Sequence, residues 1–192
     1  MTGKPIATIP FPEHVRLSRP TTNDQPVTLS APAMTVLTDF AHTLPVVASP
    51  DETIAVAEAR MIRRGVRSVL VLDDQDRMVG ILTAADLLGE KPLQFSQTHG
   101  VKPTEIRVAN LMTPISALDA LPFEQVSRAT VADIVATLQQ LGRQHALVVD
   151  RQGDEWVVRG IFSSTQIARQ LGMELPILVK ARTFAEIEAQ LK

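Results

Sequence analysis

Cysteine and tyrosine are absent from this chain, and tryptophan occurs once. Without cysteine there is no disulfide framework, no thiolate nucleophile and no cysteine-based metal site. The four histidines are scattered along the chain without metal-ligand spacing, so we expect no metal site.

Long apolar runs and a strongly basic balance are also missing. No run approaches the roughly 18 apolar residues of a membrane span, and the N-terminus lacks the apolar stretch of a secretory signal. The net charge of −2 provides no basic surface for nucleic acid. We therefore expect a soluble cytoplasmic protein with no membrane insertion and no nucleic-acid partner.

The usual catalytic signatures do not occur either. The chain contains no GxxxxGK[S/T] phosphate loop, no HExxH zinc motif and no GxSxG nucleophile elbow. Nothing in the sequence supports an enzyme, so a binding or interaction role is expected.

One pattern is written twice along the chain. Residues 53–73 and 130–150 share the spacing of a threonine, a glycine and a closing aspartate, with position 53 recurring 77 residues later at position 130. Each copy then reaches a glycine, two apolar residues and a hydroxyl, reading GILTAAD over 80–86 and GIFSSTQ over 160–166. A repeated unit that cannot bury its own apolar face implies two halves packed on each other.

The first copy predicts the order strand, helix, strand, strand, helix. Ser49 and Glu52 fit a capping box, with Pro50 at the first helical position and the helix running to about Arg64. The predicted apolar face of this helix contains Ile54, Ala57, Met61 and Ile62.

The second copy predicts the same order. Thr130 and Asp133 fit a capping box that opens a helix, and β-branched runs on either side of a polar turn predict two strands. The apolar stripe of this helix contains Val131, Ile134, Val135, Leu138 and Leu141.

Together with the lead-ins VLTD (36–39) and NLMTP (110–114), the repeats resemble a tandem pair of cystathionine β-synthase (CBS) domains. The resemblance covers roughly residues 36–90 and 108–172. Its departures are Leu70 and Leu147, where the family commonly has proline, and Gln166, where it has aspartate. It implies an α+β fold of two pseudo-symmetric β-α-β-β-α repeats packed sheet to sheet.

On this basis we divide the chain into five parts. Six of the thirteen prolines lie in residues 1–33, which predicts an irregular arm. A capping box at Thr183 and Glu186 predicts a helix in the C-terminal extension. The parts are an irregular N-terminal arm (1–33), the first repeat (34–90), a linker (91–107), the second repeat (108–172) and a C-terminal helical extension (173–192).

The resemblance implies a regulatory or sensory module rather than an enzyme. Such a module binds an adenine nucleotide (AMP, ADP or ATP) or an adenosyl ligand between the repeats and signals to a regulated protein, here unidentified. No cofactor is required. We expect a homodimer that pairs through the exposed flanks of the first helices. The alternative is a dimerisation or interaction module of the same fold that binds no ligand.

The first candidate site centres on Thr83 and Asp86. Gly80 has no Cβ, so a ligand could approach the strand closely, and the Thr83 hydroxyl with the first N–H groups of the helix could hold a phosphate. The Asp86 carboxylate could accept from both ribose hydroxyls. An equally simple reading is a helix start with a threonine cap and an acid near the positive end of the dipole. The resemblance adds Thr38, Arg67 and Ser68 as the wall around the base.

The second candidate site is expected to bind more weakly, because Gln166 lacks the charge of Asp86. It contains Thr113, His145, Gly160, Ser163 and Gln166. Arg67 and His145 could each reach a phosphate across the cleft, or could be a solvated arginine and a histidine at a strand edge.

Overall fold

The computed structural model describes residues 27–175. The predicted helix at Thr183 and the arm over residues 1–26 lie outside these residues. No helix within the described range is both long and apolar enough to span a membrane.

Eight strands and seven α-helices follow one another along residues 27–175. The strands are β1 (Thr38–Asp39), β2 (Val47–Ala48), β3 (Ser68–Leu72), β4 (Met78–Thr83), β5 (Thr113–Pro114), β6 (Ala120–Pro122), β7 (His145–Gln152) and β8 (Glu155–Ser163). The α-helices are α1 (Ile54–Arg64), α2 (Ala84–Leu88), α3 (Lys91–His99), α4 (Val108–Leu111), α5 (Phe123–Val126), α6 (Val131–Leu141) and α7 (Ser164–Leu171). This mixed architecture confirms the predicted α+β fold.

The strands form two four-stranded sheets of the same design. The first has the order β2-β3-β4-β5, and the second has the order β1-β8-β7-β6. In each sheet a parallel pair, β2 with β3 or β6 with β7, is followed by an antiparallel hairpin. The pseudo-symmetry read from the sequence is thus present in the hydrogen-bonding pattern.

The fourth strand of each sheet comes from the lead-in of the other repeat. The short strand β1 opens the first repeat but pairs with β8, with Thr38 opposite Ile161 and Asp39 opposite Gly160. The strand β5 opens the second repeat but pairs with β4, with Thr113 opposite Ile81. The two repeats therefore exchange strands, and their boundaries in sequence differ from those in space.

Apolar side chains fill three separate cores. One lies under the second sheet around Phe162, Leu138 and Val36, and one lies under the first sheet around Leu82, Met61 and Ile106. The third joins the sheets through four side chains at equivalent positions in the repeats: Leu70, Ile81, Leu147 and Ile161. Leu70 also donates its N–H to the Val46 carbonyl at 2.9 Å, which a proline could not do.

The helix starts partly follow the predictions. Thr130 and Asp133 form the expected capping box at α6, and Val131, Ile134, Val135 and Leu138 are buried on one face. The capping box at Ser49 and Glu52 is wrong: α1 begins one residue after Thr53, because both Glu52 oxygens are taken by Arg60 at 2.8 Å.

One residue of the α1 face was also misplaced. Ala57 and Met61 are buried as predicted, whereas Ile62 is 75% exposed. At 100° per residue, Ile62 falls beside the apolar stripe and not on it. The predicted linker contains the helix α3, whose proline lies in the first turn, where it is tolerated.

Candidate ligand-binding site

A cavity of about 260 Å³ opens between the two repeats. It lies where the starts of β3 and β7 face the lead-in strand β1 and the beginning of α7. Six predicted site residues line it, drawn from both predicted sites: Thr38, Arg67, Ser68, His145, Ser163 and Gln166.

The structure regroups the predicted residues. Thr38 was grouped with Asp86, but the exchange of β1 places it beside Gln166, whose Oε1 accepts from the Thr38 hydroxyl at 3.3 Å. By the same exchange Thr113 belongs beside β4 and the first closure. Each lead-in threonine therefore lies beside the other repeat's closing strand, and the grouping of the ligand-binding residues stays a prediction.

An ion pair holds β1 in this position. The Arg159 guanidinium donates to both Asp39 oxygens, at 2.7 and 2.9 Å, and lies 4.5 Å from the centre of the Phe123 ring. These hydrogen bonds hold the pKa of Asp39 at about 2, well below its ordinary value. Thr38 thus reaches the cavity from a strand fixed by its neighbour.

The two glycines of the closing motifs serve this strand exchange. A Cβ added at Gly160 would lie 2.7 Å from the Thr38 carbonyl oxygen, and one at Gly80 would lie 2.7 Å from that of Thr113. Neither glycine lines the cavity. We predicted that a ligand would approach these glycines closely, but the lead-in strand of the other repeat occupies this space.

The beginnings of α2 and α7 differ in the way their polar groups are used. At α2 the Asp86 carboxylate accepts from the Thr83 N–H at 2.9 Å and from its hydroxyl at 2.6 Å. At α7 the Ser163 side chain makes no capping hydrogen bond. The Ser164 N–H donates to the Gln144 carbonyl at 2.9 Å. Because Gln166 does not close a capping box, the Ser163 hydroxyl and the next first-turn N–H groups of α7 are open to a ligand.

Asp86 has little free hydrogen-bonding capacity. Its second oxygen is paired with the Lys91 ammonium from α3, and the residue is only 7% exposed. Neither Asp86 nor Thr83 lines the cavity. A ribose role for Asp86 stays a prediction, and it requires Lys91 to leave this carboxylate.

The cavity lining is positively charged. Arg67 and Arg169 both contribute to it, and among residues 27–175 no aspartate or glutamate does. Within residues 27–175 neither arginine is ion-paired with a carboxylate. The sequence reading missed Arg169, although it follows Gln166 by three residues and so shares its helix face.

His145 contributes a neutral imidazole to the same wall. Burial, reinforced by the nearby Arg67 charge, lowers the pKa of His145 to about 4, and the Asp86 carboxylate opposes this only in part. At neutral pH the ring therefore has one donor and one acceptor nitrogen. Opposite it in the β7–β8 register is Ser163.

A sequence model of the CBS domain family matches residues 37–92. Residues 37–92 form a CBS domain. The remaining strands and helices repeat its topology, and the chain has the fold of a CBS-domain pair. No curated protein sequence matches the chain.

Solved structures share this CBS-pair fold. An uncharacterised conserved protein from Pyrococcus horikoshii is 17% identical with a TM-score of 0.54, over 74% of this chain and 93% of that one. CBSX2 from Arabidopsis thaliana, solved in complex with AMP, is 21% identical with a TM-score of 0.52, over 72% and 94%.

The CBS domain pair of the protein MJ0100 is similar to the same extent. It was solved with 5′-methylthioadenosine and S-adenosyl-L-methionine, and it is 20% identical with a TM-score of 0.51, over 77% of this chain and 98% of that one. These likenesses establish the fold of the chain.

Proposed function

We propose that the CBS pair is a sensory module whose cavity beside Ser163 and Gln166 binds an adenine nucleotide, AMP being the probe of choice. The observation that carries this proposal is a cavity to which the described residues contribute two arginines and no carboxylate. CBSX2 with AMP and MJ0100 with adenosyl compounds make adenine the natural base to test.

The lining divides into a polar mouth and an apolar interior. Arg67 and Arg169 are exposed, so they would hold a phosphate at the mouth. The Ser163 hydroxyl and the N–H groups of Thr165 and Gln166 would lie beside it. Phe40, Leu70 and Ile161 also line the cavity and would cover the base. A volume of about 260 Å³ lies just below the range of about 300–1,000 Å³ that is usual for ligand pockets, and this favours one nucleoside inside.

Calorimetric titration with AMP, ADP and ATP tests the proposal. We expect Arg169→Ala to weaken AMP binding about tenfold or more, because a charge-assisted hydrogen bond contributes about 1.5–3 kcal/mol. Arg151→Ala, at an exposed arginine near the end of β7, is the control and should bind as wild type. Equal affinity in Arg169→Ala, Arg67→Ala and the control would remove the proposal.

A second variant tests whether the nucleotide binds beside Asp86 and not beside Gln166. Asp86→Asn keeps the size of the side chain and leaves the lining of the cavity unchanged. If the nucleotide binds beside Gln166, its affinity should stay within about twofold of wild type. A large loss on Asp86→Asn would place the ligand at the sequence-predicted site instead.

We further propose that the module regulates a partner and catalyses nothing itself. Incubation with ATP, followed by chromatography of the nucleotides, checks the absence of turnover.

A homodimer and a cytoplasmic location stay predictions. Light scattering tests the homodimer. Ile62 is 75% exposed on α1, and we expect Ile62→Glu to lower the molecular mass from that of a dimer to that of a monomer.

The second candidate function is a CBS pair that binds no ligand. Asp86 favours it, because its carboxylate is satisfied by Thr83 and Lys91 within the protein. Native mass spectrometry of freshly purified protein separates the two: a retained nucleotide adds mass, and bare protein that also fails to bind AMP supports the interaction module.

A further inference from the structure

A second concave surface lies on the outer side of the first repeat, where the segment before α1 faces the last turns of that helix. This groove has a volume of about 780 Å³. Its apolar side includes Leu44 and Val47. Its polar side is formed by Ser49, Glu52, Arg60, Arg63 and Arg64. It is separate from the nucleotide cavity, although Leu44, Pro45 and Val46 form a wall common to both.

The arginines of the groove differ in their surroundings. Arg60 donates to both oxygens of Glu52, at 2.8 Å each, and to the Val47 carbonyl at 2.5 Å. Arg63 and Arg64 have no carboxylate partner among residues 27–175. Within the described part of the chain the groove therefore has two positive charges without a carboxylate partner, although the net charge of the full chain is −2.

The apolar side of the groove lies along an open sheet edge. The strand β2 lies at one edge of its sheet, and its register with β3 turns the peptide groups of Val47 outward. The Val47 carbonyl accepts from Arg60, so the Val47 N–H is the group left for an added strand. Val47 is 37% exposed and Leu44 is 82% exposed. An exposed strand edge with neighbouring apolar side chains is a surface that extended peptides use.

We propose that this groove docks an extended acidic segment of a partner protein. Carboxylates of the segment pair with Arg63 and Arg64, and its apolar side chains cover Leu44 and Val47. A small anion would leave the apolar half of the groove uncovered. Nucleic acid fits poorly, because its binding rests on many phosphate contacts and the described residues supply two unpaired cations here, Arg63 and Arg64.

Fluorescence anisotropy with a fluorescein-labelled peptide of alternating glutamate and leucine tests this surface. We expect saturable binding to the whole protein. The double variant Arg63→Glu/Arg64→Glu should lose at least about tenfold in affinity, which corresponds to about 1.4 kcal/mol. The matched control, Arg128→Glu/Arg151→Glu, makes the same charge change at exposed arginines elsewhere and should stay within about twofold of wild type.

A third variant guards against misfolding. Arg63→Lys/Arg64→Lys keeps both charges, so it should bind within a few-fold of wild type whether or not the glutamate variant folds. Absence of saturable binding to the wild type overturns the proposal, as does an equal loss in the control pair.

Two further experiments identify the kind of molecule that binds in the groove. A peptide with glutamine in place of glutamate should bind at least about tenfold more weakly, and equal binding would mean that the arginines contribute nothing. Inorganic phosphate that displaces the peptide at concentrations near the peptide's own Kd would make the groove a small-anion site and overturn the proposal.

Discussion

His145 links the charge state of the cavity to the stability of the protein. Its pKa in the folded state is about 4, against an ordinary value of 6.5. Since the folded form prefers the neutral ring, the unfolded chain binds more protons between these values. The contribution of His145 to stability is therefore fully present above pH 6.5 and is lost as the pH falls toward 4.

We expect His145→Asn to flatten this pH dependence. Urea unfolding of both proteins from pH 7 to pH 4 should give curves that converge at low pH, because the variant has no imidazole to protonate. NMR titration of the ring should place its pKa below 5. A wild-type His145 that titrates near 6.5 would contradict the prediction.

Asp39 is the residue that holds the lead-in strand in place. Its two hydrogen bonds from Arg159 join residues 120 positions apart, and its side chain is 12% exposed. Asp39→Asn should lower the free energy of unfolding by about 1–3 kcal/mol, because a charge-assisted contact becomes a weaker neutral one.

The stabilisation by the Asp39–Arg159 pair also depends on pH. With the folded pKa of Asp39 near 2 and the ordinary value at 3.8, its stabilisation is present above pH 3.8 and disappears as the pH falls toward 2. Denaturant unfolding at pH 7 checks the loss. Asp154→Asn, at a fully exposed carboxylate near Arg151, should leave the midpoint unchanged.

The exchanged strands β1 and β5 are the elements that assemble the site. Each has two residues and too few hydrogen bonds to be stable alone. Their positions depend on Gly160 and Gly80, beside which the lead-in carbonyls pass.

Gly160→Ala should destabilise the protein by about 1–3 kcal/mol, the usual cost of forcing atoms into packed space. The added methyl would meet backbone oxygen of Thr38, which cannot turn aside as a side chain could. AMP affinity should fall as well, because Thr38 moves. Gly153→Ala, in open space at a turn with φ of 62°, should lose stability only through its left-handed backbone and should keep its AMP affinity. An unaltered melting temperature in Gly160→Ala would contradict the account of the strand exchange.

At the scale of the whole molecule, the two repeats depend on each other. The segment 37–92 that the CBS family model matches lacks β5, and its own β1 pairs with β8 of the other repeat. Alone, this segment would also expose Leu70 and Ile81 of the core between the sheets. Its fold therefore requires the second half of the chain.

A polypeptide of residues 37–92 should show no cooperative unfolding transition, whereas the full chain should. Circular dichroism during heating, together with the dispersion of amide signals by NMR, measures the difference. Addition of a separate polypeptide spanning 93–192 should restore structure if exchange is the cause. A well-dispersed spectrum from 37–92 alone would show that the repeats fold independently.

Local pattern was sufficient for much of the fold. The stripe from Val131 to Leu138 and the cap of Thr130 with Asp133 depend on residues three or four positions apart, which any helix brings together. The cap predicted at Ser49 failed because Arg60 binds Glu52 from eight positions away. Local spacing does not report such competition.

The sequence by itself determined the two-fold repetition, the α+β class and the difference between Asp86 and Gln166, because these depend on short-range order and residue chemistry. Only the tertiary structure decided what that difference does. Exchange of β1 brings Thr38 to Gln166, and Lys91 from α3 neutralises Asp86. The charged closure is therefore satisfied internally, while the uncharged one faces a cavity between Arg67 and Arg169.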